Sequence, residues 1–309
     1  MENQALGLAE RLPLPVTTKR VRLTPPWRWL APRAVGDSLK QMTPASNPIV
    51  PPWPWLVIGC GRQSIPVVTA IKRASGGRTL VVQCQHPRID PARFDLVIPP
   101  EHDGLTGPNV FPILGSPNRI TSERLAEARK QFAHLFEPLR TPRLAALVGG
   151  ASNVYAFDIT EAERLGSALA SLASDMSLMV LPSRRTGAAN VSRIKDALSG
   201  TRAWLWSGEG KNPYLGALAW ADAFVVTADS VNMACDAAAT GRPVHIFALP
   251  GGSRKFTKFH ESLARRGISR MFGGKIEQWD FAQLDETGRA AQRIKTLLDL
   301  KQSAPDMKP

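Results

Sequence analysis

The amino-acid sequence predicts an α/β protein with two Rossmann-like domains, each built on a parallel β-sheet. The first observation is a strand–helix–strand unit with short connections, in which Ala223–Val226 and Val244–Leu249 flank the helical segment Val231–Ala239. Parallel strands need such a crossover. The second is that short apolar segments followed by polar or glycine-bearing loops recur in both halves of the chain. The third is length, because 309 residues with 43% hydrophobic residues can bury two cores of ordinary size.

The chain opens with a predicted amphipathic helix, Met1–Leu12, and continues into a basic stretch between residues 19 and 33 that contains no acidic residue. Cations interleaved with tryptophans, here Trp27 and Trp29, are typical of segments that bind an anionic membrane surface. The alternative is a strand at 19–23 followed by a proline-rich loop that buries its tryptophans in the core. The cations of this stretch are Lys19, Arg20, Arg22, Arg28 and Arg33.

Four short strands are predicted in the first domain. The loop G-C-G-R-Q-S, which runs from Gly59 to Ser64 and leads into a helix, can admit a phosphate or a sugar. Glycine in such a loop also serves the close packing of strand and helix, so both interpretations stay open. The predicted strands are Trp55–Gly59, Thr79–Cys84, Asp95–Ile98 and Val110–Leu114.

Candidates for a catalytic base lie in the loops after these strands. His86, His102 and Asp103 follow predicted strand ends, and a transferase needs a base that accepts a proton from the acceptor hydroxyl. Loop histidines are also commonly just solvated, so the catalytic base is left unassigned.

The domain boundary is predicted at residue 140. A helix over Thr121–Phe136 is followed by Pro138 and Pro142, which mark a linker. The expected domains are therefore 1–140, on the acceptor side, and 141–309, which binds the nucleotide. Strands at Leu144–Val148, Leu178–Leu181 and Ala203–Trp206 and helices at Glu161–Ala173 and Pro213–Ala221 are expected to build the second sheet and its cover.

Polar and glycine-rich loops follow four strands of the second domain. In a parallel sheet these loops meet at the carboxyl edge, where helix N-termini favour an anion. Paired arginines there are suited to bidentate hydrogen bonds with phosphate. Ordinary helix caps are the alternative interpretation of the hydroxyls and carboxylates. The predicted ligand-binding residues are Gly149, Gly150, Ser183, Arg184, Arg185, Thr186, Gly208, Gly210, Lys211, Asn212, Thr227, Asp229, Ser230, Asn232, Met233 and Asp236.

The formal net charge of +13 and a pI near 10.2 call for an anionic partner. Nucleic acid, an anionic membrane surface and a phosphate-bearing small molecule compete for that role. No nucleic-acid-binding signature is found in the sequence, which disfavours a specific nucleic acid. A D-x-D triplet is also missing from the sequence, so we expect no metal and no bound cofactor.

Membrane and redox signals in the sequence are few. No stretch of about 18 apolar residues is present, and the first residues lack the apolar core of a secretory signal. We therefore expect a cytoplasmic protein, with peripheral attachment to the inner face of a membrane as an open alternative. Cys60, Cys84 and Cys235 lack metal-ligand spacing and are expected to be buried small side chains in a reducing compartment.

Several motifs together resemble the mitochondrial-fission "elongated mitochondria" family, whose bacterial members form a domain of unknown function. They are W-S-G-E-G-K-N-P-Y, A-D-A-F-V-V-T-A-D-S-V-N-M, T-G-R-P-V and K-F-T-K-F-H at 255–260, and S-R-R-T also fits the pattern. The resemblance covers nearly the whole chain. It implies similarity to GT-B glycosyltransferases, which place two Rossmann-like domains across a cleft.

The resemblance also carries implications for particular residues. In GT-B enzymes a carboxylate at the position of Asp236 commonly holds the ribose of a sugar nucleotide, and this family usually has glutamate there. In the family, N-Q-A-L-G-L-A-E follows a first strand and a glycine-bearing loop, so this chain is expected to lack that opening strand. The last helix, Phe281–Lys301, would cross back onto the first domain.

Three function classes follow. The first is a metal-independent glycosyltransferase-type protein that uses a nucleoside-diphosphate sugar, with Arg184, Arg185, Lys211 and the helix start at Ser230 stabilising the leaving group. The second is a nucleotide-sugar epimerase on the same architecture. The third is a non-catalytic adaptor or membrane-peripheral protein, because eukaryotic members of the resembling family are linked to recruitment of a dynamin-like fission protein. Donor, acceptor and oligomeric state stay open.

Overall fold

The computed structural model describes residues 1–33 and 36–303 and places strands and helices in alternation along most of the chain. The strands are β1 (Leu56–Cys60), β2 (Leu80–Cys84), β3 (Leu96–Ile98), β4 (Arg143–Val148), β5 (Ser177–Pro182), β6 (Ala203–Leu205), β7 (Ala223–Thr227), β8 (Val244–Phe247) and β9 (Ser269–Met271). The helices are α1 (Glu2–Ala9), α2 (Trp27–Leu30), α3 (Ser64–Ala74), α4 (Ser122–Gln131), α5 (Ala133–Phe136), α6 (Ile159–Ala170), α7 (Ala188–Ala197), α8 (Tyr214–Trp220), α9 (Val231–Ala238), α10 (Arg254–Arg265) and α11 (Glu286–Gln302).

The chain forms two compact units. The first unit combines Met1–Arg119 with the segment that begins at Asp285, and the second is Ile120–Leu284. Each unit contains one parallel sheet, so the predicted α/β class with two parallel sheets is confirmed.

The first unit is built on a three-stranded sheet in the order β1-β2-β3. Helices α1 and α11 cover one face, where Leu8 and Ile294 pack with Val82 and Ile98. The predicted strand Val110–Leu114 forms only isolated bridges, between Val97 and Val110 and between Pro100 and Ile113. The prediction of a continuous strand there was wrong because Pro99, in the neighbouring segment, has no N–H to donate to Phe111, although the Phe111 and Ile113 N–H groups donate to the Val97 and Pro99 carbonyls.

The basic stretch at 19–33 is not a continuous strand either. It forms an isolated bridge between Leu23 and Met42, and separate backbone hydrogen bonds join Arg20, Arg22 and Thr24 to residues 41–47. The stretch instead places its two tryptophans in opposite environments. Trp27 packs against the buried cluster that contains Leu23 and Ile71, whereas Trp29 is 67% exposed. The alternative in which both tryptophans are buried is therefore wrong for Trp29.

The second unit is built on a six-stranded sheet in the order β6-β5-β4-β7-β8-β9. All of its ladders are parallel. The chain runs from β4 outward through β5 to β6, crosses back, and continues from β7 through β8 to β9 on the other side. Strand order therefore reverses between β4 and β7, which is the place where open α/β sheets bind ligands.

The helix predicted over Thr121–Phe136 is divided into α4 and α5 at Phe132. Both belong to the second unit, which begins at Ile120. Both α4 and α5 pack closely against α8, which also belongs to the second unit. A Cβ at Gly216 would lie 2.6 Å from the Phe132 Cβ, and the Trp220 indole donates a hydrogen bond to the Arg129 carbonyl at 2.9 Å.

Candidate ligand site at the carboxyl edge of the second sheet

The loops after β4, β5 and β7 meet at the reversal of strand order, because these strands are neighbours in the sheet. A set of polar and glycine residues in these loops is joined by direct hydrogen bonds and one ion pair. We call this set the edge cluster. It consists of Gly149, Gly150, Ser183, Arg185, Thr186, Thr227 and Asp229.

Asp229 is the centre of the edge cluster. Its side chain is 0% exposed and its carboxylate forms an ion pair with Arg185 at 2.7 Å. The Thr227 hydroxyl donates to Asp229 at 2.7 Å, and the Gly150 N–H donates at 3.0 Å. A buried carboxylate needs this number of donors to offset its lost hydration. Asp229 therefore fixes the relative positions of the loops after β4, β5 and β7.

Glycine is required in the loop after β4 by the closeness of these contacts. A Cβ at Gly149 would lie 2.3 Å from both carboxylate oxygens of Asp229, and a Cβ at Gly150 would lie 2.1 Å from the Arg185 carbonyl oxygen. Any larger residue would displace the carboxylate or the backbone of the next loop. The glycines predicted from the sequence thus serve the approach of protein groups to one another.

The hydroxyls after β5 also shape the loops. The Ser183 hydroxyl donates to the Gly149 carbonyl at 2.8 Å, and Thr186, which is 1% exposed, donates to the same carbonyl. The Ser183 N–H in turn donates to the Thr186 hydroxyl at 2.9 Å. Both hydroxyls are engaged inside the protein, so the groups of this loop that reach solvent are the arginines.

The two predicted arginines differ in their contacts. Arg185 also donates to the Gly150 carbonyl at 3.3 Å, and its side chain remains 45% exposed. Its guanidinium has five N–H groups, so donors remain for a ligand. Arg184 is exposed and forms no hydrogen bond or ion pair with the described part of the chain. Arg184 is therefore the freer cation.

Helix α9 begins beside Asp229. The Ser230 hydroxyl accepts a hydrogen bond from the Met233 N–H at 3.3 Å, which is an ordinary N-cap. Asn232 is exposed and Met233 is half-buried at this end of the helix. The positive end of the α9 dipole thus lies beside the edge cluster.

Asp236, the predicted ribose contact, forms a separate pair. It accepts a hydrogen bond from the Tyr214 hydroxyl at 2.9 Å. Burial raises the pKa of the Asp236 carboxyl to about 7, although the hydrogen bond from Tyr214 opposes this shift. Burial also raises the pKa of the Tyr214 hydroxyl well above its usual value. The pair joins the start of α8 to α9 and holds a carboxyl that titrates near neutral pH.

Within the described residues, no hydrogen bond joins the loop after β6 to the edge cluster. Gly208 and Gly210 have φ angles of 89° and 75°, Lys211 is exposed, and the Asn212 side chain accepts from the Tyr214 N–H at 3.0 Å. The loop reaches α9 through the contact of Tyr214 with Asp236. A cavity of about 460 Å³ beside it is lined in part by Phe132, His134, Trp204, Trp206 and Lys211.

An aromatic wall next to the edge cluster was missed by the sequence analysis. Tyr155 packs edge-on against Phe256, with 5.0 Å between the ring centroids. Phe256 stacks on His260, with 6.5 Å between the ring centroids. Burial, and then the Asp229 carboxylate, raise the pKa of the Tyr155 hydroxyl. K-F-T-K-F-H, which contains Phe256 and His260, was a signal for this wall but was used only for the resemblance.

His260 connects this wall to the loop that carries Asp229. A His260 Nε2–H donates to the Ala228 carbonyl at 2.9 Å, because a carbonyl can only accept. The other ring nitrogen, Nδ1, is buried without a partner among the described residues. Burial lowers the pKa of His260, which favours the neutral ring. A neutral His260 thus holds the turn between β7 and Asp229.

The three candidates for a catalytic base all lie in the first unit and are held locally. His86 Nδ1 accepts from the Arg88 N–H at 2.9 Å and so closes a turn. His102 and Asp103 belong to the 3₁₀ turn Glu101–Asp103. Within the part of the chain that the structure describes, His86 forms no hydrogen bond with His102 or Asp103.

Comparison with known proteins adds a family and a fold. The profile of the family Mitochondrial fission ELM1 matches residues 1–298. Mitochondrial fission protein ELM1 of Arabidopsis thaliana is 33% identical over 269 residues, 78% of this chain and 63% of that protein. An uncharacterized protein of Rickettsia prowazekii (strain Madrid E) is 30% identical over 215 residues, 66% of this chain and 59% of that protein. The chain thus spans about 60% of the length of these relatives.

Among solved structures, UDP-GlcNAc 2-epimerase from Methanocaldococcus jannaschii resembles this chain with a TM-score of 0.52 and 15% identity. The match covers 80% of this chain and 77% of that one. At this identity the likeness concerns the fold alone, which is a GT-B-like α/β fold with two parallel sheets.

Proposed function

The chain belongs to the Mitochondrial fission ELM1 family, and from this family, the GT-B-like fold and the edge cluster we propose that the second unit binds a nucleoside-diphosphate sugar for glycosyl transfer. The proposed position of the diphosphate is the carboxyl edge of the sheet, between the loops after β4, β5 and β7. The ribose is proposed to lie near Asp236.

One observation carries this proposal: the ion pair between Arg185 and Asp229 joins the loops after β5 and β7 at the reversal of strand order. Because Asp229 is already compensated by Arg185 and by two further donors, it does not present an uncompensated negative charge to a phosphate. The remaining N–H groups of Arg185, the exposed Arg184 and the start of α9 then give a positive potential at this edge. The site is thus formed before a ligand arrives.

The same residues suit the chemistry of a leaving nucleoside diphosphate. Breaking the bond between sugar and phosphate leaves additional negative charge on the phosphate oxygens. Cations and a helix N-terminus that are already in place stabilise that charge without reorganising. We propose this role for Arg184, Arg185, Lys211 and the N-terminus of α9. The base that accepts the acceptor proton remains a proposal among His86, His102 and Asp103.

A thermal-shift screen tests the proposal at the level of ligand class. Uridine, adenosine and guanosine diphosphates and their glucose and N-acetylglucosamine derivatives would be compared with inorganic phosphate and with free sugars. We expect at least one nucleoside-diphosphate sugar to raise the melting temperature more than phosphate does. No response to any nucleotide would contradict the proposal, and conversion of a bound sugar nucleotide to its epimer would indicate an epimerase instead.

A second candidate function is attachment of a non-catalytic adaptor to an anionic membrane surface. It is favoured by the exposure of Trp29 and Leu30, at 67% and 50%, beside the exposed Arg28 and Arg33. Arg20 of the same stretch is paired with Glu2, so it contributes less to the positive surface. No helix in the described residues is long and apolar enough to cross a bilayer, so any attachment through them would be at the surface.

Vesicle sedimentation distinguishes this candidate. The Trp29→Ala/Leu30→Ala double variant should lose binding to vesicles that contain phosphatidylglycerol, while pure phosphatidylcholine vesicles should bind neither protein. Each cation near such a surface is worth about 1 kcal/mol, so added salt should also release the protein. Met271→Ala is the matched control, since Met271 is 61% exposed in the second unit. Equal binding to both kinds of vesicle would contradict the candidate.

A further inference from the structure

Two cysteines lie opposite each other at the carboxyl end of the first sheet. Cys60 is the last residue of β1 and Cys84 the last residue of β2, and they are Cα partners in the parallel register. Neighbouring strands lie about 4.8 Å apart, which is within the range of about 4.4–6.8 Å that Cα atoms adopt in disulfides. Partners in register also project to the same face of a sheet, and both side chains belong to the face covered by α1 and α11.

The two thiols are chemically different. Cys84 is fully buried and Cys60 is half-buried. The neighbouring Cys84 thiol lowers the pKa of Cys60, whereas the neighbouring Cys60 thiol and burial raise the pKa of Cys84 well above its usual value. Cys60 Sγ also lies 3.6 Å from Gln4 Oε1. The thiolate is the nucleophilic form of cysteine, so Cys60 is the side chain that an oxidant meets first.

From the paired positions of Cys60 and Cys84 we infer that the first unit carries a thiol modification site that a peroxide converts to an intramolecular disulfide. The Cys60 thiolate attacks one oxygen of hydrogen peroxide, which yields a sulfenic acid on Cys60 and hydroxide. The Cys84 thiol then attacks the Cys60 sulfur, the S–S bond forms, and the hydroxyl leaves as water with the thiol proton. The hydroxide from the first step takes up the proton that the Cys60 thiol lost and becomes water. In total, two thiols are oxidised to one disulfide and one hydrogen peroxide is reduced to two water molecules.

The position of the site gives it a consequence for the loop that follows. Cys60 belongs to the segment Gly59–Ser64, which leads into α3 and contains Gly61 with a φ of 97°. A disulfide would tie the start of this loop to the end of β2. It would therefore add a covalent restraint to this loop at the carboxyl edge of the first sheet. This inference is independent of the proposed ligand site, which lies in the second unit.

Cys235 provides an internal control. It is buried in α9 of the second unit, and the other two cysteines belong to the first unit. The whole chain would be treated with hydrogen peroxide, denatured, alkylated with iodoacetamide and analysed by intact mass. The reduced protein has three cysteine thiols, so the number of alkylated thiols is expected to fall from three to one. The protein should lose the mass of two hydrogen atoms and yield a tryptic pair that joins Cys60 to Cys84.

Variants distinguish the role of Cys60, which is oxidised first, from that of Cys84, which closes the disulfide. In Cys84→Ala the sulfenic acid on Cys60 should persist long enough to be trapped by dimedone, and in Cys235→Ser the disulfide should form as in the wild type. Three alkylated thiols after peroxide, oxidation of Cys60 to a sulfinic acid without the link, or a link that involves Cys235 would each overturn the inference. The wild-type measurement decides the question even if a variant does not fold.

Discussion

The carboxyl edges of the two sheets hold their polar residues in different ways. At the edge of the second sheet, residues from three loops bond to one another through the Asp229 side chain. At the edge of the first sheet, His86 is held within its own turn by the Arg88 N–H, and the loop after β1 bonds to the backbone of the basic stretch, through Arg62 to Arg28 and through Gln63 to Leu23. The strand order of the two sheets explains this difference between their edges. The second reverses its strand order between β4 and β7, whereas the first runs β1-β2-β3 without reversal.

A reversal of strand order, more than the number of polar residues, brings the residues of the edge cluster together. At a reversal, the loops from neighbouring strands leave in opposite directions and open a crevice that a ligand or a side chain can fill. In the second unit the buried Asp229 carboxylate bonds to Arg185 and to the Gly150 N–H and so fixes the relative positions of these loops. The following predictions test how firmly this arrangement is held.

The largest effect is expected from Gly150→Ala. The new Cβ would lie 2.1 Å from the Arg185 carbonyl oxygen, so backbone must shift. Overpacking of this kind typically costs 1–3 kcal/mol, and we expect a loss of about 3 kcal/mol in the free energy of unfolding, measured in urea. Gly273→Ala is the control, because nothing lies within 4 Å of its Cβ position. Equal stability of the two variants would mean that the loops after β4 and β5 are not closely packed.

The second effect is expected from Arg185→Ala compared with Arg184→Ala. Removal of Arg185 leaves the buried Asp229 carboxylate without its cation. Loss of one partner of a fully buried pair costs about 3–5 kcal/mol, and the 45% exposure of Arg185 reduces this to about 2 kcal/mol. Arg184→Ala should leave stability unchanged in the same urea titration. If both variants unfold at the wild-type midpoint, the ion pair does not hold the edge cluster together.

The smallest effect is a pH dependence that comes from Asp236. Its pKa is raised to about 7 in the folded protein, so the folded state binds more protons than the unfolded state between about pH 4 and pH 7. The contribution of this group to stability is therefore complete below pH 4 and is lost as the pH rises through 7. Because Asp236→Asn cannot ionise, its free energy of unfolding relative to that of the wild type should rise by about 1–2 kcal/mol as the pH increases from 5 to 8. A constant difference across this range, measured by urea unfolding, would show an ordinary surface carboxylate.

Much of the fold could be predicted from the sequence because parallel strands buried on both faces give continuous apolar segments. The segments that became β4, β5 and β7 are of this kind. The sequence analysis did not predict α7 or β9. Helix α7 buries only Ile194 among its described residues, and β9 leaves Arg270 and Met271 exposed, so neither shows the periodicity on which such predictions depend.

Positions in the candidate site were easier to predict than the roles of its residues. The residue types after β4, β5 and β7 indicated a polar edge, and the structure does bring them together. The sequence could not show that Asp229 is buried and bonded to Arg185, because that contact depends on strand order in the sheet. Tyr155 and His260 come from separate loops and helices, and the in-register pairing of Cys60 with Cys84 depends on the alignment of β1 and β2. The contact of Asp229 with Arg185 and the pairing of Cys60 with Cys84 leave no local pattern in the sequence, whereas the motif K-F-T-K-F-H marks Phe256 and His260.

The most direct test of the central claim is a calorimetric titration of a nucleoside-diphosphate sugar, chosen from the thermal-shift screen, into the wild type, Arg184→Ala and Arg202→Ala. Arg202 is exposed in the second unit but follows α7 instead of the edge loops, so it matches the change in charge. A lost charge-assisted pair costs roughly 1.5–3 kcal/mol, and we predict a ten- to hundredfold weaker affinity for Arg184→Ala and an unchanged affinity for Arg202→Ala. Equal affinities in all three proteins, or no binding to the wild type, would contradict a diphosphate site at this edge.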